Sequence, residues 1–292
     1  MVLNDFPVKT VQIGESAYPK ILSLIPNPPN ILYFRGNLGS HLFDNCLGIV
    51  GSRRISPYGI AVLGHLFNSL DYEQITTVSG FMRGVDITAH ALSVEYSVPT
   101  VAVLPCGIEE IYPNLQMNLY QKILAGGGLI LSEYPKNEKS KNWMFVKRNR
   151  IIAGLCSCLL VVEAGKNSGS LITYGYAKKY GKKILTVPGD IFREGQQGIC
   201  QILREYARPV FSGSDINAEM GIKISRKTNF GIPKLDSKEE IIFNSIGNNP
   251  IDLNGLSRKV NLPVSNLSTF ITKLQLSGLI KEIKGIFYAV KS

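Results

Sequence analysis

Six short apolar runs recur along the first two-thirds of the chain, at residues 47–50, 75–79, 100–104, 129–132, 158–162 and 184–187. Nearly unbroken runs of this length suit strands covered on both faces, because side chains pointing either way avoid water. Between them lie stretches with an apolar residue at every third or fourth position. In 57–70 the residues Ile60, Leu63, Phe67 and Leu70 fall on one stripe, which predicts a helix with a single buried face. Segments 86–95, 114–124 and 171–180 repeat the pattern. Strands alternating with helices predict an α/β, doubly wound and mostly parallel sheet, with its ligand site beyond the carboxyl ends of the strands.

The pattern changes at both ends. Residues 1–44 carry Pro19, Pro26, Pro28 and Pro29, which exclude a long helix, and read as an extended lead-in with a possible edge strand at 31–34. The core follows over 45–212. Residues 213–234 are polar and basic, with Lys223, Arg226, Lys227 and Lys234, and read as a linker. In 235–292, three helices (238–246, 253–260 and 264–275) precede a hairpin of 279–283 and 286–290, the order of a winged-helix unit. Such units bind DNA or protein partners. The third helix offers Ser265, Asn266, Ser268 and Thr269 with one strong cation, Lys273, which is sparse for a helix that reads DNA.

Lys and Arg exceed Asp and Glu by ten over 292 residues, and seven Lys/Arg against five Asp/Glu lie from residue 236 onward. Most of the excess therefore belongs to the core. A basic balance favours polyanionic partners and says nothing about fold. No apolar run approaches a membrane span and no signal-peptide pattern opens the chain, so a cytoplasmic protein without a membrane partner is expected. The five cysteines are scattered. Cys156 and Cys158 would share a strand face, but three histidines and no second cysteine pair argue for buried reduced thiols over a metal site. No cofactor is expected, since no Gly-x-Gly-x-x-Gly follows the first core strand.

Candidate chemistry sits where these strands end. The first core strand runs into Gly51-Ser52-Arg53-Arg54, and Ser56-Pro57 then opens a helix. A small-residue turn before a helix start presents backbone N–H groups and partial positive charge to a phosphate, and the arginines add charge-assisted donors. An ordinary tight turn carrying surface arginines would look the same from this segment alone. The next strand ends at Ser79-Gly80, followed by Arg83-Gly84 and Asp86; the acid fits a helix cap or first turn, and His90 fits packing along that helix. Farther on, Lys147, Arg148, Asn149 and Arg150 lie beside Trp143 and Phe145, a mixture of cations and rings that suits single-stranded nucleic acid, although the rings would serve equally as core. Finally, Lys166 and Ser168-Gly169-Ser170 precede another helix and offer a second phosphate cradle.

Taken together, these segments resemble the DNA-processing protein A (DprA/Smf) family. The likeness rests on Gly51-Ser52-Arg53 with Tyr58-Gly59, Ser79-Gly80 with Arg83-Gly84 and Asp86, the run from Arg148 to Gly154, and the run from Ser168 to Thr173. Pro188-Gly189 and Tyr112-Pro113 also fit. The resemblance implies a Rossmann-like core that binds single-stranded DNA without catalysis, forms a homodimer and helps load RecA recombinase during natural transformation, with a winged-helix-like domain at the end. Cys200 and Tyr206 depart from it, standing where the family usually carries Asn and Gly. The alternative is a nucleotide-cleaving hydrolase resembling the nucleoside-phosphate phosphoribohydrolases. Their Pro-Gly-Gly-x-Gly-Thr-x-x-Glu motif is incomplete here, because Pro188-Gly189 continues as Asp190-Ile191.

Overall fold

The computed structural model describes residues 5–110, 116–222, 237–246, 251–276, 279–283 and 285–289. The chain forms two compact units, Met1–Ile224 and Ser225–Ser292. The first opens with β1 (Lys9–Gln12), α1 (Lys20–Ser23) and β2 (Ile31–Gly36). Alternation then sets in: β3 (Cys46–Val50), α2 (Pro57–Phe67), β4 (Thr76–Ser79), α3 (Val85–Glu95), β5 (Thr100–Val103), α4 (Met117–Ala125) and β6 (Leu129–Ser132). The second half continues with α5 (Asn142–Leu155), β7 (Cys158–Val161), α6 (Ser170–Lys179), β8 (Lys183–Thr186), α7 (Gln197–Glu205), β9 (Arg208–Pro209) and α8 (Gly213–Met220).

All nine strands join one sheet in the order β1-β2-β6-β5-β4-β3-β7-β8-β9. From β6 to β9 every pairing is parallel, while β2 runs antiparallel to β6 and β1 antiparallel to β2. The chain steps outward from β3 to β6, then returns to lay β7 on the other edge of β3, with Leu47 opposite Cys158 and Val50 opposite Val161. Strand order reverses there, and in such sheets the reversal opens a crevice at the carboxyl ends. Side chains alternate between two cores. Val50, Leu159 and Val161 pack on the face covered by α5 and α6, and Leu47, Ile49 and Leu160 on the face covered by α2 and α3.

Several expectations need correction. Residues 9–12 and 31–36 are sheet strands, and β2 lies inside the sheet, because β1 covers its outer edge. Helix α2 stops at Phe67, and Ile60, placed on its buried stripe by periodicity, is half exposed. Cys156 and Cys158 fall in opposite cores, because Cys156 ends α5 and only Cys158 enters the strand. Residues 213–220 form α8. Ser212 Oγ accepts from Asp215 N at 3.2 Å and Asp215 Oδ2 accepts from Ser212 N at 2.9 Å, a reciprocal cap that a reading of polar content overlooks. The basic residues Lys223, Arg226, Lys227 and Lys234 lie outside the described residues, as do Tyr112 and Pro113.

The second unit contains α9 (Ser237–Ile246), β10 (Ile251–Asp252), α10 (Leu253–Val260), α11 (Val264–Leu276), β11 (Ile280–Ile283) and β12 (Ile286–Ala289). Its sheet order is β10-β12-β11, and its core gathers Ile242, Leu256, Leu267, Leu274 and Phe287. On α11 the hydroxyls of Ser268 and Thr272 bond carbonyls one turn back, and Lys273 pairs with Glu239 at 3.1 Å.

Candidate nucleic-acid interface

The start of α2 is already occupied by an anion of the protein itself. Glu163, at the end of β7, is buried and accepts from Ser56 N at 2.8 Å, Ser56 Oγ at 2.5 Å and Gln196 Nε2 at 3.2 Å. Ser56 Oγ in turn accepts from Gly59 N, so the first-turn donors face a carboxylate held within the fold. The expected phosphate position at the Pro57 helix start is therefore filled, and Glu163 acts there as a structural cap.

The open site lies beside it. A pocket of about 500 Å³ is walled by Gly51 to Arg54 from the end of β3, by Met82, Arg83 and Asp86 at the start of α3, by Ser168 to Ser170 at the start of α6, and by one face of α5. Two helix N-termini, α3 and α6, thus converge on one space, each favouring negative charge. Ser168 and Ser170 share a hydrogen bond of 2.8 Å, and Asn149 Nδ2 donates to Gly169 O at 3.4 Å, which pins this loop to α5. Opposite, Ser52 Oγ accepts from Arg54 N and donates to Arg54 O, both at 3.0 Å, closing the turn that presents the arginines. Arg53 and Arg83 are exposed. The Arg53 guanidinium lies 5.4 Å from the Phe145 ring centroid, so a cation and an aromatic face meet at the rim.

Arg148 enters the pocket wall from beneath the surface. It is 3% exposed; its Nη1 donates to Gly80 O at 2.6 Å and also to Val103 O. Asp86, likewise buried, accepts from Met82 N at 3.3 Å, and a Cβ at Gly80 would fall 2.6 Å from both Asp86 Oδ2 and Arg148 Nη2. Glycine is what lets the two charged groups close over that backbone. Burial pushes the Asp86 carboxyl up to about 6, against the pull of Arg148 and of hydrogen bonds from Met82, Ser79 and Gly80. Burial also pushes the Arg148 guanidinium down to about 10, with Asp86 opposing the shift. Behind them His90 sits fully buried, Nδ1 2.8 Å from Thr100 Oγ1, its imidazole pushed down to about 3 by burial and then by Arg148.

The structure brings together Gly51, Ser52, Arg53, Arg54, Arg83, Arg148, Asn149, Ser168, Gly169 and Ser170. The other six residues singled out from the sequence lie outside the pocket wall. Ser79 is buried, its hydroxyl donating to Ile49 O at 2.6 Å, and Gly80 serves the buried charges. Gly84 has φ +85° and approaches the backbone of Ser52 and Arg53 so closely that a Cβ would lie 2.2 Å from Ser52 O; its role is to seat one loop on the other. Arg150 is buried on Glu133 at 2.6 Å, and Lys147 lies 3.5 Å from the same carboxylate, so the basic run does not act as one cluster. Lys166 is exposed on the loop before α6.

The site residues expected from the sequence leave out Val50, Met82, Asp86, Val146, Ile152, Ile172 and Thr173, which also line the pocket. Phe145, read from the sequence as a ring beside the cations and equally as core, does line it, and it precedes Arg148 and Asn149 by three and four residues, which puts all three on one helix face.

Comparison with known proteins identifies the family. A family model described as DNA recombination-mediator protein A matches residues 9–221. The chain is 33% identical over 213 residues to the DNA processing protein DprA of Bacillus subtilis (strain 168), covering 73% of this chain and 71% of that one. Among solved structures, DNA processing protein A from Streptococcus pneumoniae superposes with a TM-score of 0.69 at 35% identity, over 74% of this chain and 75% of that one. DNA processing protein A from Helicobacter pylori, studied for its single-stranded DNA binding mode, superposes with a TM-score of 0.64 at 29% identity, over 72% and 94% of the two chains. With the motifs, the strand order and the family match coinciding over the first unit, the chain belongs to the DNA recombination-mediator protein A family.

Proposed function

We propose that the pocket at the β3–β7 reversal holds single-stranded DNA, and that the protein acts by binding, without catalysis. The observation that carries this reading is the convergence of Arg53, Arg54 and Arg83 with the N-termini of α3 and α6 around the pairing of the exposed Arg53 guanidinium with the half-buried Phe145 ring. Helix starts and arginines suit phosphates, and an aromatic rim suits an unstacked base. The Helicobacter pylori relative, with its single-stranded DNA binding mode, supports the same choice of ligand. The contacts engage phosphates and base faces, so little sequence preference is expected.

The hydrolase alternative has less support. A nucleotide-cleaving site needs a carboxylate free to reach the reacting bond, and Asp86, the carboxylate in the pocket wall among the described residues, is turned to Met82 N and Arg148. We extend the proposal to the wider role implied by the family: protecting incoming strands and helping to load RecA recombinase, as a homodimer, during natural transformation. The dimer draws further support from Tyr176 and Tyr180, stacked with centroids 6.0 Å apart, and half-exposed Tyr206, since interfaces are enriched in such rings.

A mobility-shift comparison of one oligonucleotide as single strand and as duplex tests the binding step. Preferential retention of the single strand is expected. Equal affinity for both would remove the reading, and release of free base from mononucleotides would favour the hydrolase.

A further inference from the structure

The pocket leaves one group unused. Trp143, the single tryptophan of the chain, is 53% exposed on the first turn of α5, edge-on to Tyr134 with ring centroids 6.2 Å apart. Lys147 Nζ lies 5.7 Å from the centroids of both rings, and its side chain is 47% exposed. Glu133 faces Lys147 at 3.5 Å but makes its shorter contact, 2.6 Å, with buried Arg150, so Lys147 is not consumed by the pairing. An indole this exposed adds little to the core.

Position on the helix relates this group to the pocket. At 3.6 residues per turn, Trp143 and Lys147 share one stripe of α5 and Phe145 and Asn149 another, with exposed Val146 between them. A ligand leaving the pocket past Phe145 therefore meets Val146 and then the indole. The path runs round about half the circumference of a helix 10–12 Å across, roughly 15–20 Å, which a few nucleotides of a flexible strand can span. A ring backed by a cation is also the pairing that binds a base face and its phosphate without reading sequence.

We propose that Trp143 and Lys147 form a second stacking site for a base of the same single strand, entered from the pocket across the first turn of α5. The inference rests on the reading of the pocket as a single-strand site and extends it to a strand path along one helix. It also gives the Trp143–Lys147 pairing a ligand-binding role apart from the buried Arg150.

Because Trp143 is the only tryptophan of these 292 residues, its emission reports the site in the unmodified chain. Titration with a fifteen-nucleotide oligothymidylate should quench it, while anisotropy of the same oligonucleotide carrying a label reports binding independently. Trp143→Ala should weaken binding about tenfold, within the range stacking one base contributes, and Trp143→Phe should recover part of the loss. Unchanged emission while anisotropy shows saturation, or parental affinity in a folded Trp143→Ala chain, would overturn the second site and leave the pocket standing. Absence of any anisotropy change would overturn the pocket reading, and this inference with it.

Discussion

Asp86 and His90 are buried side by side near Arg148, and their protonation equilibria pull stability in opposite directions. His90 is held at about 3, below the 6.5 of an exposed imidazole, so between those values the unfolded chain binds a proton that the folded chain refuses. Its contribution is present above pH 6.5 and is lost as the pH falls. Asp86 is held at about 6, above 3.8, so in that window the folded chain binds the extra proton. Its contribution is present below pH 3.8 and is lost as the pH rises through 6. At about 1.4 kcal/mol per unit of differential protonation, acidification from pH 6 to pH 4 removes about 2–3 kcal/mol through His90 and returns about 2 kcal/mol through Asp86. The parent should therefore show little net dependence from this pair.

Single substitutions should uncover each half. His90→Gln leaves the Asp86 gain, so its stability relative to the parent should rise by about 2–3 kcal/mol between pH 6 and pH 4. Asp86→Asn leaves the His90 loss, and its relative stability should fall by about 2 kcal/mol over the same interval. Both variants lose native contacts and start less stable at pH 7, so the quantity to compare is the change with pH, from urea unfolding at each value. If the three chains followed parallel pH curves, the buried pair would not hold these protonation states. An Asp86→Asn chain more acid-resistant than the parent would reverse the sign of the argument.

Two further outcomes separate architecture from binding. Gly84→Ala places a Cβ 2.2 Å from Ser52 O at φ +85°, so thermal denaturation should show a loss of more than about 1 kcal/mol, together with weakened binding as the Ser52–Arg53 turn shifts; an unchanged midpoint would refute the close approach. A chain ending at Leu235 keeps the pocket residues and most of the positive charge, and filter binding should find most single-strand affinity retained. Complete loss by a folded truncated chain would assign binding to the second unit.

How far the fold could be read depended on burial. Strands β3 to β8 announce themselves because both faces are covered, leaving runs such as Leu159-Leu160-Val161 with no polar interruption. β1 has only Val11 buried among its four residues, so Lys9-Thr10-Val11-Gln12 resembles any exposed segment until its pairing with β2 is known. The site divided for a similar reason. Gly51 to Arg54 and Ser168 to Ser170 are legible because a strand–turn–helix order has one local geometry. The fates of Lys147, Arg148 and Arg150 are not, since Arg150 meets Glu133 and Arg148 meets the carbonyls of Gly80 and Val103 only after distant strands assemble. The resident anion Glu163 at the α2 start was equally hidden: it lies 107 positions from the Ser56 it caps.

The most direct measurement on the pocket is the salt dependence of single-strand affinity for the parent, Arg53→Ala and Arg53→Lys. Arg53 projects from the Ser52 turn with its guanidinium against Phe145 and contributes little to the core, so the variants should fold normally. Loss of a charged hydrogen bond or a stacked base should weaken binding by about 1–3 kcal/mol in Arg53→Ala. If the contact is to phosphate, the slope of log affinity against log salt should also fall by about 0.7. Lysine keeps the charge and loses the planar fork, so Arg53→Lys should restore the slope and only part of the affinity. Parental affinity and parental slope in Arg53→Ala would contradict the assignment of this pocket to single-stranded DNA.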